Sequence, residues 1–199
     1  MDIKEFSKNY FEETRKAIER LNLEKIQKIA EVLYRAYKNN KQIFIMGNGG
    51  SASTASHFAC DLGKGTLQRV YDEKEKRFRV ISLTDNVATL MAFGNDLSFE
   101  DIFCQQLSNL VNREDVVIGI SGSGNSANIV KAIEYAKRCG AKTIGFLGFY
   151  TGGKLRDLVD YEITVQDNHY GRIEDIHLML EHLITNYFAE LKKEEIEEL

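Results

Sequence analysis

Five short apolar runs, each followed by a loop and then a helical stretch, restrict what this 199-residue chain can fold into more than any other feature. They are QIFIM (42–46), FRVISL (78–83), DVVIGI (115–120), KTIGFL (142–147) and YEITV (161–165). Near-continuous apolar strands occur where both faces of a sheet are covered, and their alternation with helices makes the sheet parallel. With right-handed crossovers, the expected fold class is α/β: a three-layer α-β-α sandwich on a five-stranded parallel sheet of flavodoxin-like type. Helices are expected over 52–62, 87–93, 99–110, 127–138 and 172–198, with a short helical turn at 154–158. No shift in composition divides the chain, so residues 1–199 are expected to form a single domain, 1–40 helical and 41–199 the sandwich.

Residues 2–39 carry an apolar stripe at spacings of three and four: Ile3, Phe6, Tyr10 and Phe11, then Ile18, Leu21, Ile26, Ile29, Val32, Leu33 and Tyr37. A break at Asn22-Leu23 predicts two helices, the second ending at Asn39-Asn40. The stripe is too rich for a solvated arm, so this segment is expected to pack on the domain or on a neighbouring subunit.

The chain contains no proline and fifteen glycines, most of them within 47–65 or 119–153. That excludes proline-rich linkers and cis-proline turns and leaves glycine to make the bends. A net charge of −4 and a pI near 5.7 argue against a nucleic-acid surface. No apolar run approaches the length of a membrane span, and the charged N-terminus lacks a signal-peptide core. A cytoplasmic location is therefore expected, with no membrane partner. Cys60, Cys104 and Cys139 are odd in number and widely spaced, which predicts buried or half-buried thiols rather than disulfides or a thiolate metal site.

Ligands of such sheets bind outside the carboxyl ends of the strands. Two loops stand out there: Gly47-Asn48-Gly49-Gly50-Ser51 after the first apolar run, and Ser121-Gly122-Ser123-Gly124-Asn125-Ser126 after the third. Both are rich in exposed backbone N–H groups and hydroxyls, and both lead into a helix N-terminus, which favours anions. A dinucleotide fingerprint would need glycine at Ala52, and no P-loop occurs, so no nucleotide cofactor is expected. A phosphate cradle is the better reading than a pair of ordinary turns.

His57 and Asp61, four apart, share a helix face. The last helix carries Glu174, His177, Glu181 and His182; spacing places the first three on one face, with His182 about 80° round from Glu174. Periodicity leaves open which of these face a site.

GNGGS, H-F-A-x-x-L, GND-x-x-F-x-D-I-F (94–103), SGSGNSANIVKAI and RI-x-D-IH-x-x-x-x-H, in this order over residues 5–190, resemble the bacterial sedoheptulose 7-phosphate isomerase (phosphoheptose isomerase) family, a branch of the sugar-isomerase (SIS) domain superfamily. The resemblance implies a homotetramer with active sites between subunits. It also implies conversion of sedoheptulose 7-phosphate to D-glycero-D-manno-heptose 7-phosphate for cell-surface glycans, and one bound zinc or similar divalent ion per subunit. Carried over, Ser121, Gly122, Ser123 and Ser126 hold the phosphate, while Asn48, Gly49, Gly50, Ser51, Asn95, Asp96 and Glu174 line the sugar. His57, Asp61, Glu174 and His182 form the expected metal set, and Asp61, Glu174 and His182 the catalytic one.

Three positions depart from the family pattern. Asp61 stands where the family has a glutamate, Glu174 where it has a glutamine, and Gly122 where threonine is common. Glu174 and His182 are eight residues apart, a rise of about 12 Å, so a shared ion requires converging side chains or a bent helix. The competing readings are a related isomerase acting on another sugar phosphate, a non-catalytic relative similar to the bacterial replication-initiator-associating protein, and a sugar-phosphate-sensing domain. Asp61 and His182, which the non-catalytic relatives lack, favour an enzyme.

Overall fold

In the computed structural model, which describes residues 2–197, all five apolar runs become strands. The elements are α1 (Ile3–Glu19), α2 (Leu23–Lys38), β1 (Gln42–Gly47), α3 (Gly50–Cys60), a π-helical turn (Asp61–Gly65), β2 (Arg79–Ser82), α4 (Val87–Asp96), α5 (Ile102–Leu110), β3 (Val116–Ser121), α6 (Ala127–Arg138), β4 (Lys142–Leu147), α7 (Leu155–Leu158), β5 (Tyr161–Thr164) and α8 (Tyr170–Glu197). The expected end of the last helix, residue 198, lies outside the described residues.

The strands form one sheet in the order β2-β1-β3-β4-β5, all parallel. Alternate residues serve opposite layers, as the pleat requires. Ile43 and Ile45 face a core with α2, α3 and α8, whereas Phe44 and Met46 face one with α5 and α6. Covering on both sides explains why these strands read as unbroken apolar runs.

The order reverses at β1, which lies between β2 and β3. Gly47 at the end of β1 pairs with Ile120 near the end of β3. The two glycine-serine loops therefore leave the sheet side by side at its topological switch point, where such sheets form their crevice.

The N-terminal segment divides as the break at Asn22 predicts, with Asn22 capping α2 through the backbone N–H of Lys25. α2 buries Ile26, Ile29, Val32, Leu33, Ala36 and Tyr37, whereas α1 buries only Ala17. α1 reaches the domain through Tyr10, whose hydroxyl donates to Asp175 on α8; that bond raises the phenol pKa to about 12. Cys104 is buried and Cys139 half-buried, but Cys60 is exposed, because it faces away from the core at the end of α3. Among the described residues no helix is long and apolar enough to cross a membrane.

His177 fastens α8 to the sheet. Fully buried, its Nε2–H donates to the carbonyl oxygen of Leu147 at the end of β4, 2.9 Å away. Burial pushes its pKa down to about 4, so the folded state holds it neutral. The unfolded chain takes up a proton below about pH 6.5, and folding stability is lost as pH falls from there towards 4. At about 1.4 kcal/mol per unit, the cost is on the order of 3 kcal/mol. Denaturant titrations between pH 7 and 4.5 should therefore show a His177→Leu variant losing less stability on acidification than the wild type. Parallel pH curves would contradict this.

Candidate active site

The first loop and the first turn of α3 follow directly from β1, and the second loop and α6 from β3. Between them lies a cavity of about 170 Å³ lined by Asn48, Ser51, Ile120, Ser121, Gly122, Ser123, Ser126, Tyr170 and Glu174. Ser126 is the N-cap of α6, yet its hydroxyl makes no capping bond and lies 3.3 Å from the Ser121 hydroxyl. The first N–H groups of a helix lack intrahelical acceptors, so the starts of α3 and α6 both offer donors beside these hydroxyls. Such an arrangement suits a phosphate without a basic side chain.

Asn48 plays a part that its position in the loop does not announce. Its side-chain amide exchanges two hydrogen bonds of 2.9 Å with the amide of Asn128, a buried residue in the first turn of α6. This pair ties one loop to the helix that follows the other. Sequence reasoning missed Asn128; the signal was a polar residue at a helical position that the periodicity assigns to the core.

Gly50 makes room for Glu174. A Cβ on Gly50 would lie 2.6 Å from the Glu174 carboxylate, so the first turn of α3 and that carboxylate are in near contact. Gly122 is explained similarly: a side chain there would press on the Tyr170 ring, 3.1 Å from the Cβ position. The start of α8 that carries both residues is clamped by Arg172, which binds both Asp167 carboxylate oxygens at 2.7 Å.

Further along the same two helices, α3 and α8 bring His57, Asp61 and His182 together. His57 Nε2 lies 3.5 Å from Asp61 Oδ2 and 3.4 Å from His182 Nε2, and the latter lies 3.9 Å from Asp61 Oδ2. Asp61 sits on the π-helical turn, where the expected α-helix gives way within the Asp-Leu-Gly-Lys-Gly segment. Glycine weakens the regular helix, and single π turns are frequent at functional sites.

Glu174 does not join this cluster. On α8 it stands two turns before His182 and lines the cavity between the two loops, so within one chain it is not brought to the other three residues of the expected metal set. Glu181 does join the cluster: one ligand atom each from His57, Asp61, Glu181 and His182 lie within 4.8 Å of one another. Glu181 is fully buried beneath the two half-exposed imidazoles. Burial, and next the Asp61 carboxylate, raise its pKa to about 7. Two imidazoles and two carboxylates are donors that suit zinc or a similar divalent ion, so the residues present fit the metal that the resemblance implies. Asn95 and Asp96 are not brought to the cavity; they are exposed at the end of α4 and hydrogen-bond to one another.

The SIS domain family profile matches residues 8–148. A phosphoheptose isomerase from Helicobacter pylori is 39% identical over 176 residues, covering 88% of this chain and 88% of that protein. One from Nitratiruptor sp. is 39% identical over 160 residues, covering 80% of this chain and 82% of its own length. The chain belongs to the phosphoheptose isomerase family of SIS-domain proteins. Solved structures agree: the phosphoheptose isomerase of Neisseria gonorrhoeae superimposes with a TM-score of 0.85 at 29% identity, covering 95% of this chain and 100% of that one. The corresponding enzyme of Francisella tularensis gives 0.85 at 28% identity, covering 96% and 100%.

Within this family frame, Gly50→Ala tests the contact that aims Glu174. The added methyl displaces the end of a flexible side chain rather than backbone, so the variant should fold with little change in Tm. Displacing a catalytic group by about 1 Å can cost ~100-fold, and the catalytic role expected for Glu174 predicts that kcat/KM for sugar-phosphate isomerisation falls by about that factor. Unchanged turnover would show that Glu174 need not occupy this position.

Proposed function

We propose that the protein interconverts sedoheptulose 7-phosphate and D-glycero-D-manno-heptose 7-phosphate, supplying heptose for cell-surface glycans from a cytoplasmic location. The observation that carries this reading is the pairing of a phosphate cradle at the switch point with a histidine-carboxylate cluster on the two helices that leave it, in a member of the phosphoheptose isomerase family.

Aldose–ketose isomerisation moves a proton between carbons 1 and 2 through an enediol, with matching proton shifts on the two oxygens. It needs a base above carbon and an acid beside oxygen, both with pKa values near the working pH. The cradle residues Ser121, Ser123 and Ser126, with the helix N-termini, hold the phosphate and fix the register of the sugar. A carboxylate, Asp61 or Glu174, takes the carbon-bound proton and returns it one carbon along, and the imidazole of His182 exchanges protons with the oxygens. Asn48, held by Asn128, keeps the first loop against the second so that cradle and catalytic groups stay in one geometry. His57, Asp61 and His182 would hold a divalent ion, which when bound supplies Lewis-acid stabilisation of oxygen-centred negative charge.

A homotetramer with sites between subunits goes with this reading. α4 leaves Val87 and Met91 exposed at 67% and 68%, followed by Leu97 and Phe99, and Ile3 and Phe11 stand out from α1. Apolar surface of this extent marks contact with another chain. An added subunit is also the simplest way to bring Asn95 and Asp96 to a sugar. Light scattering should report four chains per particle; a monomer would contradict the tetramer.

The activity itself is tested by incubating metal-replete protein with sedoheptulose 7-phosphate and following the aldose by NMR. Conversion is expected, with His182→Ala lowering kcat by at least ~100-fold, the lower end of acid–base contributions. No conversion at any pH from 6 to 9 would reject the proposal.

A further inference from the structure

Glu181 occupies a position that a folding chain normally fills with an apolar residue. It follows Leu180 and precedes Ile184 on the buried side of α8, and its side chain is fully buried. Among the described residues neither of its carboxylate oxygens has a hydrogen-bond partner. Thr185, one turn on, does not reach hydrogen-bond geometry, and its own hydroxyl is unpartnered. Buried carboxylates without partners are costly, and proteins retain them where a cation or a hydrogen-bond network compensates.

Its surroundings supply the compensation. Glu181 Oε1 lies 3.6 Å from His182 Nε2 and 3.7 Å from His57 Nδ1, too far for hydrogen bonds. The facing Nε2 atoms of His57 and His182 make only a long hydrogen bond of 3.4 Å. With metal–ligand distances near 2.0–2.2 Å, tetrahedral ligands stand about 3.3–3.6 Å apart. His57 Nε2, Asp61 Oδ2 and His182 Nε2 lie 3.4 to 3.9 Å from one another and Glu181 Oε1 lies 3.6 Å from His182 Nε2, while one ligand atom from each of the four residues falls within 4.8 Å of all the others. The two imidazoles meet through one long hydrogen bond, the Glu181 carboxylate is left without a partner, and all four groups are close enough to share one small cation.

We infer that Glu181 is a direct ligand of a divalent-cation site, with His57, Asp61 and His182 as the other three. The inference deepens the isomerase reading and rests on it only for the expectation of a metal in this cluster. It assigns Glu181 the place that Glu174 would have taken and leaves Glu174 to the sugar-phosphate cradle. Glu181 also offsets the retraction of Asp61: the shorter carboxylate sits at the rim, and a second carboxylate closes the site from below.

The test is zinc affinity, measured by equilibrium dialysis against a competing chelator, together with thermal melts with and without zinc. The wild type should bind one zinc per chain and gain Tm on binding. Glu181→Gln keeps the shape and removes the charge. It should lose more than about 100-fold in zinc affinity, beyond the 10–100-fold typical of groups that merely orient a ligand. Its metal-free Tm should equal or exceed that of the wild type, because the unpaired buried carboxylate is gone. Glu181→Leu should behave alike, and Glu174→Gln should retain wild-type zinc affinity. A Glu181→Gln loss of 100-fold or less, or an equal loss in Glu174→Gln, overturns the inference. Zinc lost in Glu181→Gln from a wild type that does not isomerise sustains the ligand assignment and rejects the isomerase. Turnover by a chain whose zinc affinity Glu181→Gln leaves unchanged does the reverse.

Discussion

Pairing of β1 with β3, with Gly47 opposite Ile120, is the constraint on which the functional end of this molecule depends. Because the chain moves one way from β1 to β2 and the other way from β3 to β4, right-handed crossovers send the helices that follow β1 and β3 to opposite faces of the sheet. α3 therefore leaves towards the layer of α2 and α8, and α6 towards that of α5. The two loops between strand and helix are left facing each other across a gap that no backbone fills. Their glycines and serines then line a cavity instead of packing as turns, and the Asn48–Asn128 amide pair holds the gap at fixed width.

The contact between α3 and α8 converts that cavity into a graded site. Both helices start at the cradle and run away from it together, so successive turns present Ser51 and Glu174, then His57, Asp61, Glu181 and His182. The cavity proposed to hold the phosphate and the histidine-carboxylate cluster are thereby separated along one direction by about two helical turns, about 12 Å. His177 sits between them on α8, and its bond to Leu147 fixes the helix against the sheet where both ends depend on it. A neutral, buried imidazole suits that structural role and is distinct from the exposed pair that faces the cluster.

The sandwich was legible in the sequence because strand burial on both faces writes itself as apolar runs; the expected bounds of α6 and β4, 127–138 and 142–147, coincide with those observed. The cavity between the two loops was legible for a different reason, since two glycine- and serine-rich strand-to-helix junctions at equivalent strand ends leave space and exposed backbone donors. The split of Glu174 from His182 was foreshadowed by their eight-residue spacing. Glu181 was not separable from its neighbours. A carboxylate that shares a helix face with Glu174 and His177 acquires meaning only from what α3 places opposite it, and that is a fact of tertiary contact. The π turn under Asp61 was similarly hidden, because an isolated glycine pair marks a weak helix without saying how it yields.

The most direct measurement is a crystal structure of the zinc-loaded protein with sedoheptulose 7-phosphate, with anomalous scattering recorded at the zinc edge. The account requires the phosphate among Ser121, Ser123 and Ser126, and a single anomalous peak per chain between His57, Asp61, Glu181 and His182, with the sugar extending from one to the other. Phosphate bound away from the cradle, or zinc held by Glu174 with Glu181 left unligated, would contradict it.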